Sequence, residues 1–247
     1  MAYFKYFPRV LYNFGDEKTS DVFENISIYS DTVDQIRDQI SLYENYYILP
    51  GERPDQVSMK LYDTTEYHWT FYLMNLKLRE EGWPLSPQNI FEFAQKKYNH
   101  TVINTRSTIT DKMAIGQTIT GLTSGATGVI VHRDLDLGQL WIEETQTFTA
   151  GETATSTNTE GTIESITVVS SSVQYNAAHH YENASGEYVD LGLDPATGNL
   201  LAPGSQLTEI TWLDRLVAKN DELKKIRVIK KTVINQVAES FREAVSL

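Results

Sequence analysis

The chain has 247 residues, of which 40% are hydrophobic and 22% charged, and its mean hydropathy is −0.35. This composition is typical of a globular protein, and no apolar run approaches the roughly 18 residues of a membrane span. The absence of cysteine excludes disulfides, thiolate metal sites and a cysteine nucleophile. A net charge of −12 disfavours general nucleic-acid binding, because a phosphate backbone repels an acidic surface. The first residues lack the pattern of a signal peptide, and we expect assembly in a reducing cytoplasm.

Charge is distributed unevenly along the chain. The segment from Trp212 to Leu247 has eight Lys/Arg and five Asp/Glu, a net of +3, and the remainder therefore has a net of −15. A basic tail on an acidic body could pair head to tail with copies of itself or with a partner. The simpler interpretation is a solvated helix with ordinary surface charge.

Composition also divides the chain into zones, which predict four regions. We expect an N-terminal arm and helix over 1–45, and a strand–helix–helix unit with a following helix over 46–100. The third region, 105–172, is rich in Thr and Gly and has no Tyr or Pro, which predicts an inserted β-domain. The region 173–247 is expected to hold a return segment and a C-terminal helical part.

In the first two regions, apolar residues at helical spacing and breaker residues predict one strand and four helices. Asp31 or Thr32 is a plausible cap for the first helix, and Asp55 is expected to cap the second. Pro87 is expected at the first position of the fourth. The predicted elements are, in order, helix 32–43, strand 46–49 ending at Pro50-Gly51, helix 55–62, helix 66–76 and a helix ending near Tyr98.

In the third region, β-branched residues alternate with glycine-containing turns. The pattern predicts a small sandwich or barrel with strands over 113–120, 128–132, 140–143 and 162–169. The last region begins with a loop-like stretch over 183–206. It continues with a helix over 210–224, a β-prone run over 226–229 and an amphipathic helix over 233–245.

The segment from Tyr46 to Asn75 resembles a LysM module, which has a strand, a turn, a helix ending in an aromatic residue, and a second helix ending in Asn. Gly51 allows a turn geometry that a Cβ atom would oppose. Tyr62 and Trp69 can fill the small core where both helices meet the sheet, and Asn75 can bridge backbone groups where the second helix ends. The resemblance is carried by Tyr47, Ile48, Gly51, Pro54, Val57, Leu61, Tyr62, Trp69 and Asn75.

Two further stretches are similar to the LysM-type baseplate wedge proteins of T-even-like contractile-tailed phages, as is the LysM-like segment itself. The aromatic start Tyr3–Pro8 and the following Asp21-Val22-Phe23 resemble that family's N-terminus. Asn220–Ile229 is similar to that family's segment before a last helix. In the third region, Gly121–Val129 resembles a turn-rich repeat of small β-domains in phage tail proteins.

The resemblance implies an α+β fold with a LysM-like βααβ core, flanking helices, an inserted all-β domain and a C-terminal amphipathic helix. It implies a structural protein of the virion baseplate, assembled in the host cytoplasm, which joins neighbouring wedges through contacts with other wedge proteins. No enzymatic activity, cofactor, metal, nucleic acid or membrane contact is expected, although weak peptidoglycan contact stays open. The predicted interface residues are Tyr46, Tyr47, Trp69, Tyr72, Asn75, Asn220, Glu222, Lys225, Arg227 and Phe241.

Several residues allow other chemistry. His179-His180 could bind a metal, but adjacent residues point apart in a strand, which favours exposed loop histidines. Asp134 and Asp136 begin like a calcium loop that lacks its closing Glu, which favours turn acids. Glu143-Glu144, with Asp134 and Asp136 nearby, could be glycosidase carboxylates, although solvated strand-end charges are the simpler interpretation. The aromatic residues Tyr46, Tyr47, Trp69 and Tyr72 could instead line a sugar-binding groove in a peptidoglycan-binding module, the main alternative function.

Overall fold

The computed structural model describes residues 8–13, 20–25, 40–143 and 146–246 of the chain. Helices and strands are segregated along it, so that the predicted α+β class is confirmed. The chain divides into two compact units. The first unit comprises Met1–Ser86 and Lys219–Leu247, and the second comprises Pro87–Ala218.

The N-terminal part of the first unit contains a hairpin of two antiparallel strands. Strand β1 (Arg9–Tyr12) pairs with β2 (Asp21–Glu24), with Val10 opposite Phe23. Asp21-Val22-Phe23 therefore lies in a strand. The aromatic start up to Phe7, and most of the predicted helix 32–43 with its cap, lie outside the described residues.

The rest of the first unit is a two-stranded sheet covered by helices. A short 3₁₀ turn, Ile40–Leu42, leads directly into the first strand, so the end of predicted helix 32–43 is not α-helical. The elements of this unit are β3 (Tyr43–Tyr47), α1 (Pro54–Tyr62), α2 (Trp69–Met74), α3 (Leu76–Glu81), β13 (Lys225–Ile229) and α6 (Ile234–Ser246).

Strand β3 pairs with β13, which follows it in the sequence by almost 180 residues. The pairing is antiparallel, with Tyr47 opposite Lys225 and Tyr43 opposite Ile229. Alternation places Ile226 and Val228 on the buried face of β13, while Lys225 and Arg227 are exposed. The buried core of the unit is formed by Ile48, Val57, Tyr62, Phe71, Met74, Leu78, Leu223, Ile226, Val228, Ile229, Ile234 and Val237.

Two helix boundaries differ from prediction. Helix α1 begins at Pro54 and not at Asp55, because proline fixes the first helical φ and lacks the N–H that a helix start leaves unpaired. The Gln56 side-chain oxygen accepts from the Arg53 N–H, 3.0 Å away, so Asp55 is not the cap. The predicted helix 66–76 is shorter, since only Trp69–Met74 is helical before the chain turns at Asn75 into α3.

The second unit contains a closed barrel of six antiparallel strands in the order β4-β7-β6-β5-β8-β9. A helix, α4 (Pro87–Lys97), precedes it and starts at Pro87 as predicted. Two strands, β4 and β8, have no counterpart in the prediction, and the barrel extends beyond 105–172 at both ends. The strands are β4 (Thr101–Thr105), β5 (Thr118–Gly121), β6 (Thr127–Asp134), β7 (Gln139–Ile142), β8 (Thr153–Thr157) and β9 (Ile163–Val173).

Side chains from alternate strand positions fill the barrel, as expected when one face of every strand turns inward. Threonine occupies the outward positions of β5 and β8. The interior contains Ile103, Ile109, Met113, Ile119, Ala126, Ile130, Leu140, Ile142, Phe148, Ala154, Ile166 and Val168.

After the barrel, β10 (Ala178–Glu182) forms a three-stranded sheet with β11 (Tyr188–Val189) and β12 (Thr208–Thr211). Helix α5 (Trp212–Leu223) follows, and its residues from Lys219 onward belong to the first unit. The predicted helix 210–224 therefore starts two residues late, because residues 210 and 211 pair with β10. The final predicted helix is confirmed with a shift of one residue.

Candidate functional site

A groove of about 380 Å³ lies beside the corner between α2 and α3 in the first unit. Four of the ten predicted interface residues line it, although they come from segments about 150 residues apart in the sequence. Those four residues are Asn75, Glu222, Lys225 and Arg227, and the remaining lining residues are Met74, Leu76, Lys77, Leu78, Leu223 and Ile226.

The Asn75 side chain joins the end of α2 to the outer edge of β13. Its amide nitrogen donates to the carbonyl oxygens of Phe71 and Arg227, each at 2.8 Å. Its side-chain oxygen accepts from the Arg227 N–H at 2.8 Å. Both donors are therefore used on backbone, and the predicted bridging role of Asn75 is confirmed. The same bonds occupy the free edge of β13 at Arg227, where another strand would otherwise be able to pair.

The rim of the groove is mainly basic. Lys77 Nζ donates to Glu222 Oε2 at 2.7 Å, and this hydrogen bond lowers the pKa of Glu222 and raises that of Lys77. The guanidinium of Arg227 lies 4.8 Å from the centre of the Tyr43 ring, a cation–π contact. Lys225 is exposed opposite Tyr47, whose side chain is 49% exposed. Three cations and one carboxylate give this surface a local excess of positive charge.

The predicted aromatic residues contact different elements and do not form one surface. Tyr46 donates to Glu52 at 3.0 Å and accepts from Lys60 at 3.0 Å, and burial raises its pKa above the usual value. The Tyr72 ring packs on Trp83, with centres 6.0 Å apart.

Trp69 and Phe241 pack against each other with ring centres 5.0 Å apart, which joins α2 to α6. Phe241 is buried and Trp69 is half-buried. Tyr62, by contrast, lies in the central core as predicted, stacks on Phe71 and donates to the Ile229 carbonyl at 2.8 Å. Asn220 bonds both backbone groups of Leu85, at 2.7 and 3.2 Å.

Glu152, which the sequence did not single out, organises the turn-rich motif of the barrel. Its buried carboxylate accepts from the N–H groups of Thr123, Ser124 and Thr149 and from the Ser124 hydroxyl. Burial acts to raise the pKa of Glu152, but the hydrogen bonds outweigh it and lower that pKa to about 2. A Cβ atom at Gly121 would lie 2.5 Å from Ser124 Oγ, so the motif requires glycine there.

The prediction that His179 and His180 are exposed loop histidines is wrong. Both lie in β10, and His180 is buried. Their Nδ1 atoms are 2.8 Å apart, so the two rings do not point to opposite faces. Within the described ranges of the chain, no group of three His, Asp or Glu side chains could hold a metal ion.

The other candidate acids have simple surroundings. Asp134 Oδ1 accepts from the N–H groups of Asp136 and Leu137, at 3.1 and 3.0 Å, which confirms the interpretation as turn acids. Glu143 follows β7, and Glu144 lies outside the described residues.

Comparison of the chain with known protein families finds no matching family model, and no curated protein matches it. Of the helices in the described part of the chain, none combines the length and the apolar character needed to cross a membrane.

Proposed function

We propose that the protein is a structural component of a contractile phage tail baseplate, which joins neighbouring wedges through protein–protein contacts. The observation that carries this proposal is the pairing of β3 with β13. The two stretches that resemble the wedge family, Tyr46–Asn75 and Asn220–Ile229, meet in one sheet and share one groove. Separate chance similarities would not be expected to fit together in this way.

In this proposal, β3, α1, α2 and β13 are the βααβ core of a LysM-like module. In a free-standing LysM module, the second strand usually follows soon after the Asn that ends the second helix. Here α3 follows Asn75 directly, and the strand that Asn75 binds is β13. The barrel and the return segment are then an insertion between the second helix and the second strand of the module.

The chemistry of the groove favours protein as the ligand. Protein interfaces combine partly exposed aromatic rings with charged rims. Outside the groove itself, Tyr47 of β3 lies opposite Lys225, and the Tyr43 ring contacts Arg227. The positive rim fits a partner surface that presents carboxylates, since complementary charge accelerates and orients association. Acidic surfaces of other wedge proteins, or of a neighbouring wedge, are the proposed partners.

The test replaces two of the three cations on the rim, Lys225 and Arg227. In a phage that encodes this chain, Lys225→Glu/Arg227→Glu should reduce the yield of assembled baseplates by roughly tenfold or more, which corresponds to at least about 1.4 kcal/mol of lost contact energy. Electron microscopy of lysates counts the baseplates. A deletion of the C-terminal segment is unsuitable, because it removes the buried strand β13.

The matched control is Lys96→Glu/Lys97→Glu, which makes the same charge change on exposed residues of α4. It should assemble like the wild type. Normal baseplate yield from the Lys225→Glu/Arg227→Glu variant, with the variant protein folded by circular dichroism, would contradict the assignment of this surface.

A peptidoglycan-binding module is the second candidate, and the exposure of Tyr47 and Leu49 at the end of β3 favours it. An exposed tyrosine ring beside a turn can stack on a sugar. Co-sedimentation with purified peptidoglycan tests this candidate. Retention of the wild-type protein on peptidoglycan, abolished by Tyr47→Ala, would support sugar binding. Recovery of the wild type and the variant alike in the supernatant would favour the structural role.

A further inference from the structure

A β-bulge in β10 brings two neighbouring histidines to the same side of the strand. In the pairing with β12, Ala178 lies opposite Thr211 and His180 opposite Ile210, so the register shifts across His179. An extra residue in one strand re-aims the side chains around it. As a result, the Nδ1 atoms of His179 and His180 are within hydrogen-bond distance.

The hydrogen bonds of this pair have only one possible direction while both rings are neutral. Arg215, in the first turn of α5, contacts Nε2 of His179, and a guanidinium can only donate. Nε2 of His179 is therefore an acceptor, and its proton is on Nδ1. That Nδ1–H donates to Nδ1 of His180, which leaves the His180 proton on Nε2, 2.8 Å from a carboxylate oxygen of Glu182.

The resulting series, Arg215 to His179 to His180 to Glu182, is called the histidine series here. It has no place for one more proton. A proton on His179 would set its Nε2–H against the guanidinium. A proton on Nδ1 of His180 would face the Nδ1–H of His179. If His179 changed to its Nε2–H tautomer, that N–H would instead face the guanidinium of Arg215.

We propose that the histidine series is an acid-sensitive contact, which holds the first turn of α5 on β10 only while both histidines are neutral. This inference concerns the second unit and is independent of the proposed baseplate role. Protonation of either ring replaces an attractive donor–acceptor pair by two opposed donors, and it adds a positive charge beside Arg215. The first turn of α5 should then separate from β10.

The groups around the histidine series have opposing effects on the pKa of His179. The pKa of His179 is lowered by burial, by Arg215 and by His180, while Asp134 from β6 opposes this effect. Glu182 accepts a hydrogen bond from Nε2 of His180 in the neutral series. From β11, the Tyr188 ring stacks on His180 at 3.8 Å, and from β12, Glu209 faces Tyr181 together with Arg106.

The sign of the pH dependence follows from the lowered pKa. A histidine with a folded-state pKa below its unfolded value contributes stability that is present above the unfolded pKa, near 6.5. That stability is lost as the pH falls through the folded pKa. The contact should therefore be intact at pH 7.5 and should open on acidification.

Long-range ¹H–¹⁵N NMR of the imidazole rings tests the proposal on the full chain, with assignment by His179→Gln and His180→Gln. At pH 7.5 we expect His179 as the Nδ1–H tautomer and His180 as the Nε2–H tautomer. The titration midpoint of His179 should be lower in the folded protein than in the same protein in urea. Amide exchange over Trp212–Arg215, corrected for intrinsic rates, should accelerate on acidification.

Arg215→Met removes the donor that blocks protonation, so the His179 midpoint should rise. Lys219→Met, at a second cation of α5 that pairs with Glu81, should leave that midpoint unchanged. Two results would each overturn the proposal. One is an Nε2–H or doubly protonated His179 at pH 7.5, and the other is a folded midpoint equal to or above the unfolded one.

Discussion

Asn75 shows how one side chain can take the place of a strand. Its amide group matches the spacing of a backbone N–H and C=O, and it satisfies both groups of Arg227 while also closing the last turn of α2. Unpaired backbone groups at a sheet edge cost free energy when they are shielded from water. One carboxamide therefore fixes the end of α2 to the edge of β13.

We expect Asn75→Ala to lower the free energy of unfolding by about 1–3 kcal/mol, because three hydrogen bonds are lost at a half-exposed position. Asn75→Asp should cost at least as much, since a carboxylate cannot donate to the Phe71 and Arg227 carbonyls. Urea denaturation measures both. Asn45→Ala, at an exposed position directly opposite Arg227, should change stability by less than about 0.5 kcal/mol.

Glu152 predicts a second residue-scale effect. Its folded pKa, about 2, is below the usual value, so its contribution to stability is complete above the unfolded pKa and disappears as the pH falls towards 2. Glu152→Gln should lower the melting temperature at pH 7 and weaken the acid dependence of unfolding below pH 5. Calorimetry over pH 2–7 measures this, with the exposed Glu160→Gln as control. An unchanged acid dependence would contradict the role of Glu152.

These two residues also show what the sequence could reveal at this scale. Asn75 was predictable because its position at the end of an apolar helix belongs to a recognisable motif. Glu152 was not, because three of the four groups it binds belong to Thr123 and Ser124, about 28 residues earlier in another turn. The histidines were misassigned because a bulge breaks the alternation that the prediction assumed.

At the scale of elements, α6 is fixed to the first unit mainly by its apolar face. Phe241 is 3% exposed and packs on Trp69, while Ile234, Val237 and Ala238 are buried on the same helix. Its spacing of apolar residues predicted the helix to within one residue. The strand β8 was missed because its sequence, TATST, contains no large apolar residue. The strand β4, TVINT, was missed because it lies almost entirely before residue 105, where the predicted β-domain began.

Phe241→Ala should destabilise the first unit by about 3 kcal/mol or more, since it removes a buried aromatic ring and leaves a cavity. Chemical denaturation followed by tryptophan fluorescence reports the loss, because Trp69 is in contact. Glu239→Ala on the exposed face of α6 is the matched control and should be nearly neutral. Equal stability of the two variants would show that α6 does not pack as described.

For the whole molecule, the division into units predicts an asymmetry between fragments. The second unit is continuous in sequence and contains every strand of the barrel, so residues 87–218 should fold alone. Residues 1–86 should not, because they lack β13 and α6. Circular dichroism and the cooperativity of thermal unfolding measure both fragments.

A third fragment is the control. Residues 1–86 joined by a flexible linker to residues 219–247 restore the complete sheet and should unfold cooperatively. Cooperative unfolding of residues 1–86 alone would contradict the essential place of β13 in the core. The sequence zones anticipated a separate β-rich region but not this dependence, because the β-prone run 226–229 does not specify its partner strand.

The separation between β3 and β13 also has a consequence for protein synthesis. Tyr47 pairs with Lys225, which is synthesised 178 residues later, so the strand pair cannot form before then. All six barrel strands leave the ribosome before that point, and contacts between nearby segments form faster than distant ones. The barrel can therefore be complete while the first 86 residues are still without their sheet partner. During that interval their apolar helix faces are exposed, and this is when a chaperone would have most to protect.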